Sequence, residues 1–254
     1  MYIDTHTHLY DEQFDQDRNE MVRRAIEAGV DKMLLPNCDQ HTIPQMLQLA
    51  RDFPAHCLPM IGLHPVYVRE HYKDELKVMH RHLENSNFVA VGEIGLDFYW
   101  DKTYIREQQD AFETQIDWSL EARLPIVIHT RDSIGEGIEI VRKKQNGHLK
   151  GVFHCFSGTE EQAREIIDLG FYLGIGGVLT FKNSSLKDFI ARLPVASLLL
   201  ETDAPYLAPV PYRGKRNESS YIPFIAEFLS GLYGEPISWI GERTTQNARS
   251  LFGL

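Results

Sequence analysis

Eight short apolar runs, at 2–5, 32–36, 57–62, 88–92, 126–128, 151–153, 171–174 and 197–200, alternate with segments of helical period along the chain. Their spacing suits one strand, one helix and two loops per repeat. Runs such as Met33-Leu34-Leu35 and Leu198-Leu199-Leu200 are apolar on both faces, as parallel strands covered on both sides are. In the helical segment 18–28, Met21, Val22, Ala25 and Ile26 share one face and Gly29 supplies the stop. In 103–124, Phe112, Ile116 and Leu120 recur every fourth residue. In 159–169, Thr159 and Gln162 make a capping-box pattern, Ala163, Ile166 and Ile167 form the stripe, and Gly170 ends it. Eight strands alternating with helices predict an α/β fold, a (β/α)8 TIM barrel. An open doubly wound sheet would carry a glycine fingerprint after the first strand, and none is present.

The 254 residues fit one barrel domain over 1–254, since such barrels commonly use about 250. No low-complexity linker or charge block divides them. Composition is ordinary, 43% hydrophobic and 24% charged, which excludes disordered, collagen-like and coiled-coil classes. The net charge of −10 argues against a broadly basic nucleic-acid surface while leaving room for a local basic groove. No apolar run reaches the roughly 18–20 residues of a membrane span, so no membrane partner is expected. Cys38, Cys57 and Cys155 show no CxxC spacing, and Met1-Tyr2-Ile3-Asp4 lacks the basic and apolar regions of a signal peptide. A reduced, cytoplasmic chain is expected.

The polar residues that follow the apolar runs carry the chemistry. His6 and His8 follow the first run, His64 the third, Glu93 the fourth, His129 the fifth, His154 the sixth and Asp203 the eighth. In a barrel these positions meet at the C-terminal mouth. By contrast His41, His56, His71, His80, His82 and His148 lie in helical or loop patterns and read as ordinary surface histidines. Glu93, between glycines after a buried strand, either caps a turn or bridges cations, since a buried carboxylate without a cation is costly. Asp203 either caps a helix or ligates, and the proline-rich stretch after it starts no helix at once. Cys155 reads as a small buried residue pointing away from His154. The metal-site candidates are therefore His6, His8, Glu93, His129, His154 and Asp203. Imidazole with carboxylate favours zinc, manganese, nickel or iron over an all-oxygen magnesium site. One shared carboxylate suits two ions about 3.5–4 Å apart.

These residues sit in motifs that closely resemble the TatD family of metal-dependent deoxyribonucleases, among the amidohydrolase-like barrels. The motifs are Asp4-Thr5-His6-Thr7-His8, Gly62-Leu63-His64-Pro65, Gly92-Glu93-Ile94-Gly95-Leu96-Asp97 and His129-Thr130-Arg131. They continue as His154-Cys155-Phe156-Ser157-Gly158, Glu201-Thr202-Asp203-Ala204-Pro205-Tyr206-Leu207 and Asn247-Ala248. One departure is Asn217-Glu218-Ser219, where many members carry proline after the Asn-Glu pair; it is expected to loosen the loop after the eighth strand without touching a ligand. The resemblance implies that His6, His8, Glu93 and Asp203 hold one ion and that Glu93, His129 and His154 hold the second. It implies that Asp203 also touches the attacking water, that His64 contacts the scissile phosphate, and that Glu93 takes the bridge that many such barrels give to a carboxylated lysine.

The expected activity is a two-metal phosphodiesterase on DNA, a 3′-5′ exonuclease acting on single-stranded or frayed 3′ ends. Asp203 and His64 are the catalytic candidates, with two divalent cations (zinc, manganese or magnesium) as cofactors. His64, Arg131 and Arg213 are the candidates to hold substrate; Arg131 has a structural alternative in a pair with Asp132 or Asp97. Pro211-Tyr212-Arg213-Gly214-Lys215-Arg216 is the most basic stretch. With Tyr206 and Tyr212 it reads either as a stacking groove or as a solvated loop. No obligate protein partner is implied. The rival readings are a small-molecule amide, lactone or phosphoester hydrolase, an aminoacyl-tRNA ester hydrolase, and a metal-loaded partner without turnover.

Overall fold

The computed structural model describes residues 1–254 and contains eight parallel strands. They are β1 (Tyr2–Asp4), β2 (Val30–Leu35), β3 (Cys57–Pro59), β4 (Val91–Asp97), β5 (Ile126–Arg131), β6 (Gly151–Phe153), β7 (Tyr172–Ile175) and β8 (Leu198–Leu200). Each pairs with its sequence neighbour, in the orders β1-β2-β3 and β4-β5-β6-β7-β8. A bridge between Ile61 and Val91 joins the two groups. A second bridge between Thr7 and Ala204, with the Thr5 N–H donating to the Leu200 carbonyl at 3.0 Å, closes the ring. The barrel expected from the alternation is the one observed.

Six helices follow the first six strands: α1 (Arg18–Glu27), α2 (Ile43–Asp52), α3 (Tyr72–Asn85), α4 (Ile105–Ala122), α5 (Ile134–Lys144) and α6 (Glu160–Asp168). The capping box read at Thr159 and Gln162 is formed at the start of α6. The regular alternation fails after β7, where four short 3-10 turns occupy Gly177–Thr180, Leu186–Asp188, Ile190–Arg192 and Val195–Ser197. Gly176-Gly177, Asn183-Ser184-Ser185 and Pro194 interrupt that stretch, and each disfavours a continuous helix. Two helices instead follow β8: α7 (Ile222–Tyr233) and α8 (Ile237–Phe252). None of the helices is long and apolar enough to cross a membrane.

Strand alternation splits the apolar runs between two cores. Met33, Leu35, Leu198 and Leu200 pack outward into a cluster of 53 buried residues under the helices. Ile3, Leu34, Met60, Ala90, Val127, Val152 and Leu199 join Ala248, Leu251 and Phe252 of α8 in a second cluster of ten. This second cluster draws one residue each from β1, β2, β5, β6 and β8, with Met60 just after β3 and Ala90 just before β4, and packs them against the end of α8.

β4 and β5 run well past the ends of their apolar runs. β4 runs to Asp97, buried throughout, so Glu93 lies inside the strand rather than after it. β5 likewise includes His129. The β4–β5 register shifts between Gly92 and Ile94, which leaves Glu93 without a ladder partner on β5. Such an irregularity re-aims the unpaired side chain.

Candidate metal centre

The ends of β1 and β8 are tied together by Asp4, a fully buried carboxylate. It accepts from the backbone N–H groups of His6 (3.3 Å) and Thr202 (2.9 Å) and from the hydroxyls of Thr202 and Ser219, both at 2.6 Å. Ser219 therefore anchors the segment after β8 through Asp4. Past this anchor the two segments pair: Asp203 N–H donates to the His6 carbonyl (2.9 Å) and His8 N–H to the Ala204 carbonyl (2.7 Å). Asp203 sits in the left-handed region, φ 56°, which aspartate tolerates better than most residues. His6, His8 and Asp203 are positioned as one unit by these bonds.

Glu93 reaches this unit from β4. Its Oε2 lies 3.1 Å from His6 Nε2 and 3.6 Å from His8 Nε2. Asp203 Oδ1 lies 3.8 Å and 3.6 Å from the same two nitrogens. Glu93 Oε1 faces a second group: His154 Nε2 at 2.7 Å, His129 Nδ1 at 2.9 Å and His64 Nε2 at 3.3 Å. His129 Nδ1 and His154 Nε2 are 3.3 Å apart. One carboxylate thus offers one oxygen to each of two imidazole groups.

Hydrogen bonds on the far side of three rings, and a carboxylate facing a fourth, sort four of the five histidines by proton. The Tyr10 hydroxyl donates to the Pro36 carbonyl (2.5 Å) and accepts from His8 Nδ1 (3.0 Å), which leaves the Nε2 lone pair of His8 facing inward. Asp97 Oδ2 accepts from His129 Nε2 at 2.9 Å, which leaves Nδ1 free. Glu201 Oε1, 3.6 Å from His154 Nδ1, favours the tautomer whose Nε2 is free. His64 is the reverse: its Nδ1 accepts from Val66 N–H at 3.0 Å, so its neutral ring turns an N–H toward Glu93. His64 is built as a hydrogen-bond donor and the other three as lone-pair donors.

The donor set fits a cation. Glu93 is 2% exposed, and all its ion-pair partners are imidazoles, with no lysine or arginine among them. The rings of His6 and His154 stack 3.8 Å apart, and both Nδ1 atoms are buried without a hydrogen-bond partner. Three overlapping groups have ligand atoms close enough for one ion: His6-His8-Asp203, His6-Glu93-His154 and His64-Glu93-His129. Without an ion the charges redistribute among the side chains. Burial pushes the Glu93 carboxyl up, but His154, His64, His6 and His129 outweigh it and hold it well below its ordinary range. Burial pushes His8 down, but Cys38, Asp203 and Glu93 hold it well above. For His154, Glu93 and Glu201 likewise outweigh burial.

The structure thus brings His6, His8, His64, Glu93, His129, His154 and Asp203 to one mouth. It does not pair Arg131 with Asp132 or Asp97: Asp97 is engaged by His129, and the Arg131 guanidinium lies 3.9 Å from the Tyr99 ring centroid. Arg213 contacts the Phe181 ring (3.6 Å to its centroid) and the Ala208 carbonyl rather than the cluster. Much of the basic loop is committed to structure. Arg216 binds both carboxylate oxygens of Asp17, and Tyr212 stacks on Tyr221 at 4.2 Å. Tyr206 remains half exposed, 6.4 Å from the His8 ring. Cys155 is half-buried, with its thiol pushed up by burial and by Asp203, Glu201 and Glu93. Asp4, Tyr10, Asp97 and Glu201 were not singled out from the sequence as positioning groups. For Asp97 a signal existed, since four residues along a strand returns a side chain to the face of Glu93.

Residues 3–253 match the family model of TatD-related DNases. The chain is 37% identical over 255 residues to the uncharacterized metal-dependent hydrolase YabD of Bacillus subtilis (strain 168), covering 100% of both chains. It is 34% identical over 256 residues to the 3'-5' ssDNA/RNA exonuclease TatD of Salmonella typhimurium, covering 98% of each. Among solved structures it resembles the crystal structure of YJJV, a TatD homolog from Escherichia coli K12. There the TM-score is 0.93 at 32% identity, with 100% of this chain and 98% of that chain covered.

Proposed function

The chain belongs to the TatD-related DNase family, and from that premise we propose that it is a two-metal phosphodiesterase releasing nucleotides from the 3′ ends of single-stranded or frayed DNA. The activity is assigned to one barrel domain over 1–254. At the coarser level the chain is a TatD-type metal-dependent hydrolase. The observation that carries the finer reading is the split of Glu93, with Oε2 toward His6 and His8 and Oε1 toward His129 and His154. Relatives named 3'-5' ssDNA/RNA exonucleases support the choice of substrate.

Bound divalent cations would polarise the phosphoryl oxygens and make an attacking water acidic near neutral pH. His6, His8, Glu93 and Asp203 would hold one, and Glu93, His129 and His154 the other. Asp203 is the more exposed of the two carboxylates, at 15% against 2% for Glu93. Its Oδ1 faces His6 and His8, which leaves Oδ2 to take the proton from the attacking water. His64 Nε2–H is directed inward and donates to a non-bridging phosphate oxygen as charge builds there. Tyr67, beside His64, and Tyr206, beside His8, are 45% and 50% exposed and offer faces on which unpaired bases stack.

The test is a substrate panel on metal-replete protein: a 3′-labelled single strand, a blunt duplex, an aminoacyl-tRNA, and small ester, lactone and amide substrates. The expected result is mononucleotide release from the single strand, slower release from the duplex, and far weaker turnover of the others. Rapid ester, lactone or amide hydrolysis with the strand left intact would overturn the proposal in favour of a small-molecule or aminoacyl ester hydrolase.

A further inference from the structure

The loop after β4 displays two large aromatic side chains to solvent: Tyr99 is 53% exposed and Trp100 66%. Folding gives no reason for this, since Phe98 already supplies the loop's buried anchor, at 8% exposure. The two rings meet edge to face with centroids 5.1 Å apart. Arg131, at the end of β5, is in register with Asp97. Its guanidinium lies 3.9 Å from the Tyr99 centroid and 5.1 Å from that of Trp100. Two nearby carboxylates are committed elsewhere. Asp97 is held by His129, and Asp101 pairs with Arg69 at 3.3 Å. Arg131 itself is exposed and makes no ion pair.

Asp97 ties this platform to the metal centre. Its Oδ2 accepts from His129 Nε2, while its Oδ1 accepts from the backbone N–H groups of Tyr99 (3.0 Å) and Trp100 (3.1 Å). One buried carboxylate therefore fixes both an inward-facing imidazole and the backbone under the two rings.

We propose that Tyr99, Trp100 and Arg131 form a nucleotide subsite on the rim, with a base stacked on the Trp100 indole and a backbone phosphate held by the Arg131 guanidinium. The inference rests on the nucleic-acid reading above and deepens it. The chemistry matches: an aromatic face takes any base, and a guanidinium laid on an aromatic ring keeps its in-plane N–H groups free for phosphate oxygens. On a chain of net charge −10, an unpaired arginine beside the site is a local attraction for the strand.

The experiment compares kcat/KM on a single-stranded decathymidylate with kcat/KM on bis(p-nitrophenyl) phosphate, which has no base to stack. The variants are Trp100→Ala, Trp100→Phe, Arg131→Ala and Arg131→Lys, in the metal-replete protein across a salt series. Trp100→Ala is expected to lower the ratio about tenfold, through KM, on the scale of one lost stacking contact, and Trp100→Phe to restore most of it. Arg131→Ala is expected to flatten the salt dependence of the decathymidylate KM by roughly one charge, with Arg131→Lys retaining the slope. If wild-type protein degrades the decathymidylate while neither alanine variant changes ratio or slope, the subsite is refuted and the nuclease reading stands. If wild-type protein leaves the decathymidylate intact, both fail together.

Discussion

Five imidazoles surround Glu93, and what distinguishes them is where the proton sits. Tyr10 and Asp97 take the outer N–H of His8 and His129, whereas Val66 donates to the outer nitrogen of His64. The motifs give the residue types, but a tautomer is set by a partner that only the fold brings into place; Val66, two residues from His64, is the exception. The same crowding sets a dependence on pH. Burial pushes His8 and His154 down, yet the acids and the Cys38 thiol around His8, and Glu93 and Glu201 around His154, hold both well above their ordinary 6.5 in the metal-free chain. Groups raised on folding stabilise the chain below the unfolded value, and that stability is lost as pH climbs through the raised values. A bound cation requires the same rings neutral, so loading releases protons and weakens toward acid. The metal-stripped protein is therefore expected to lose Tm as pH rises above neutral, and the loaded protein as pH falls below it. Calorimetric metal titrations in two buffers of different ionisation enthalpy check the proton release. Equal heats after correction for metal–buffer binding would contradict it.

At the scale of elements, β4 does most of the positioning. Its irregular register turns Glu93 inward, and its last residue, Asp97, clamps β5 and the following loop. Gly95 lets this happen: a Cβ there would lie 2.1 Å from the His129 carbonyl oxygen, and its φ is +138°. Asp97→Asn preserves shape but replaces one acceptor oxygen by an NH2 group, so either His129 or the loop amides face a donor. Loss of such an outer partner is expected to lower metal affinity about 10–100-fold with the barrel intact. Circular dichroism beside competitive chelator titration measures both, and unchanged affinity would remove Asp97 from the positioning role. The sequence made β1 and β6 through β8 legible because their apolar runs end near the strands. It missed the far end of β4 because Glu-Ile-Gly-Leu-Asp reads as a loop until its buried partners are known. It also overextended the helix pattern after β7, where Gly176-Gly177 and Pro194 carried the contrary signal.

For the whole molecule, the barrel separates stability from chemistry along its axis. Leu34, Val127, Val152 and Leu199, with Phe252 of α8, form an apolar cluster at one end. The site's imidazoles and carboxylates gather at the other, where the loops after β3, β4 and β8 also display Tyr67, Tyr99, Trp100 and Tyr206. That division follows from closing the ring, because all eight parallel strands then present their C-terminal ends to one mouth. The proposed two-ion phosphodiesterase places bond cleavage at the imidazole–carboxylate cluster. The most direct measurement titrates metal-stripped protein with manganese while following nucleotide release from a 3′-labelled single strand, beside Glu93→Ala. The rate is expected to climb to a plateau at two equivalents per chain, with Glu93→Ala remaining near background over the same range. A plateau at one equivalent, a Glu93→Ala curve that climbs with the wild type, or no release at any ratio would contradict the account.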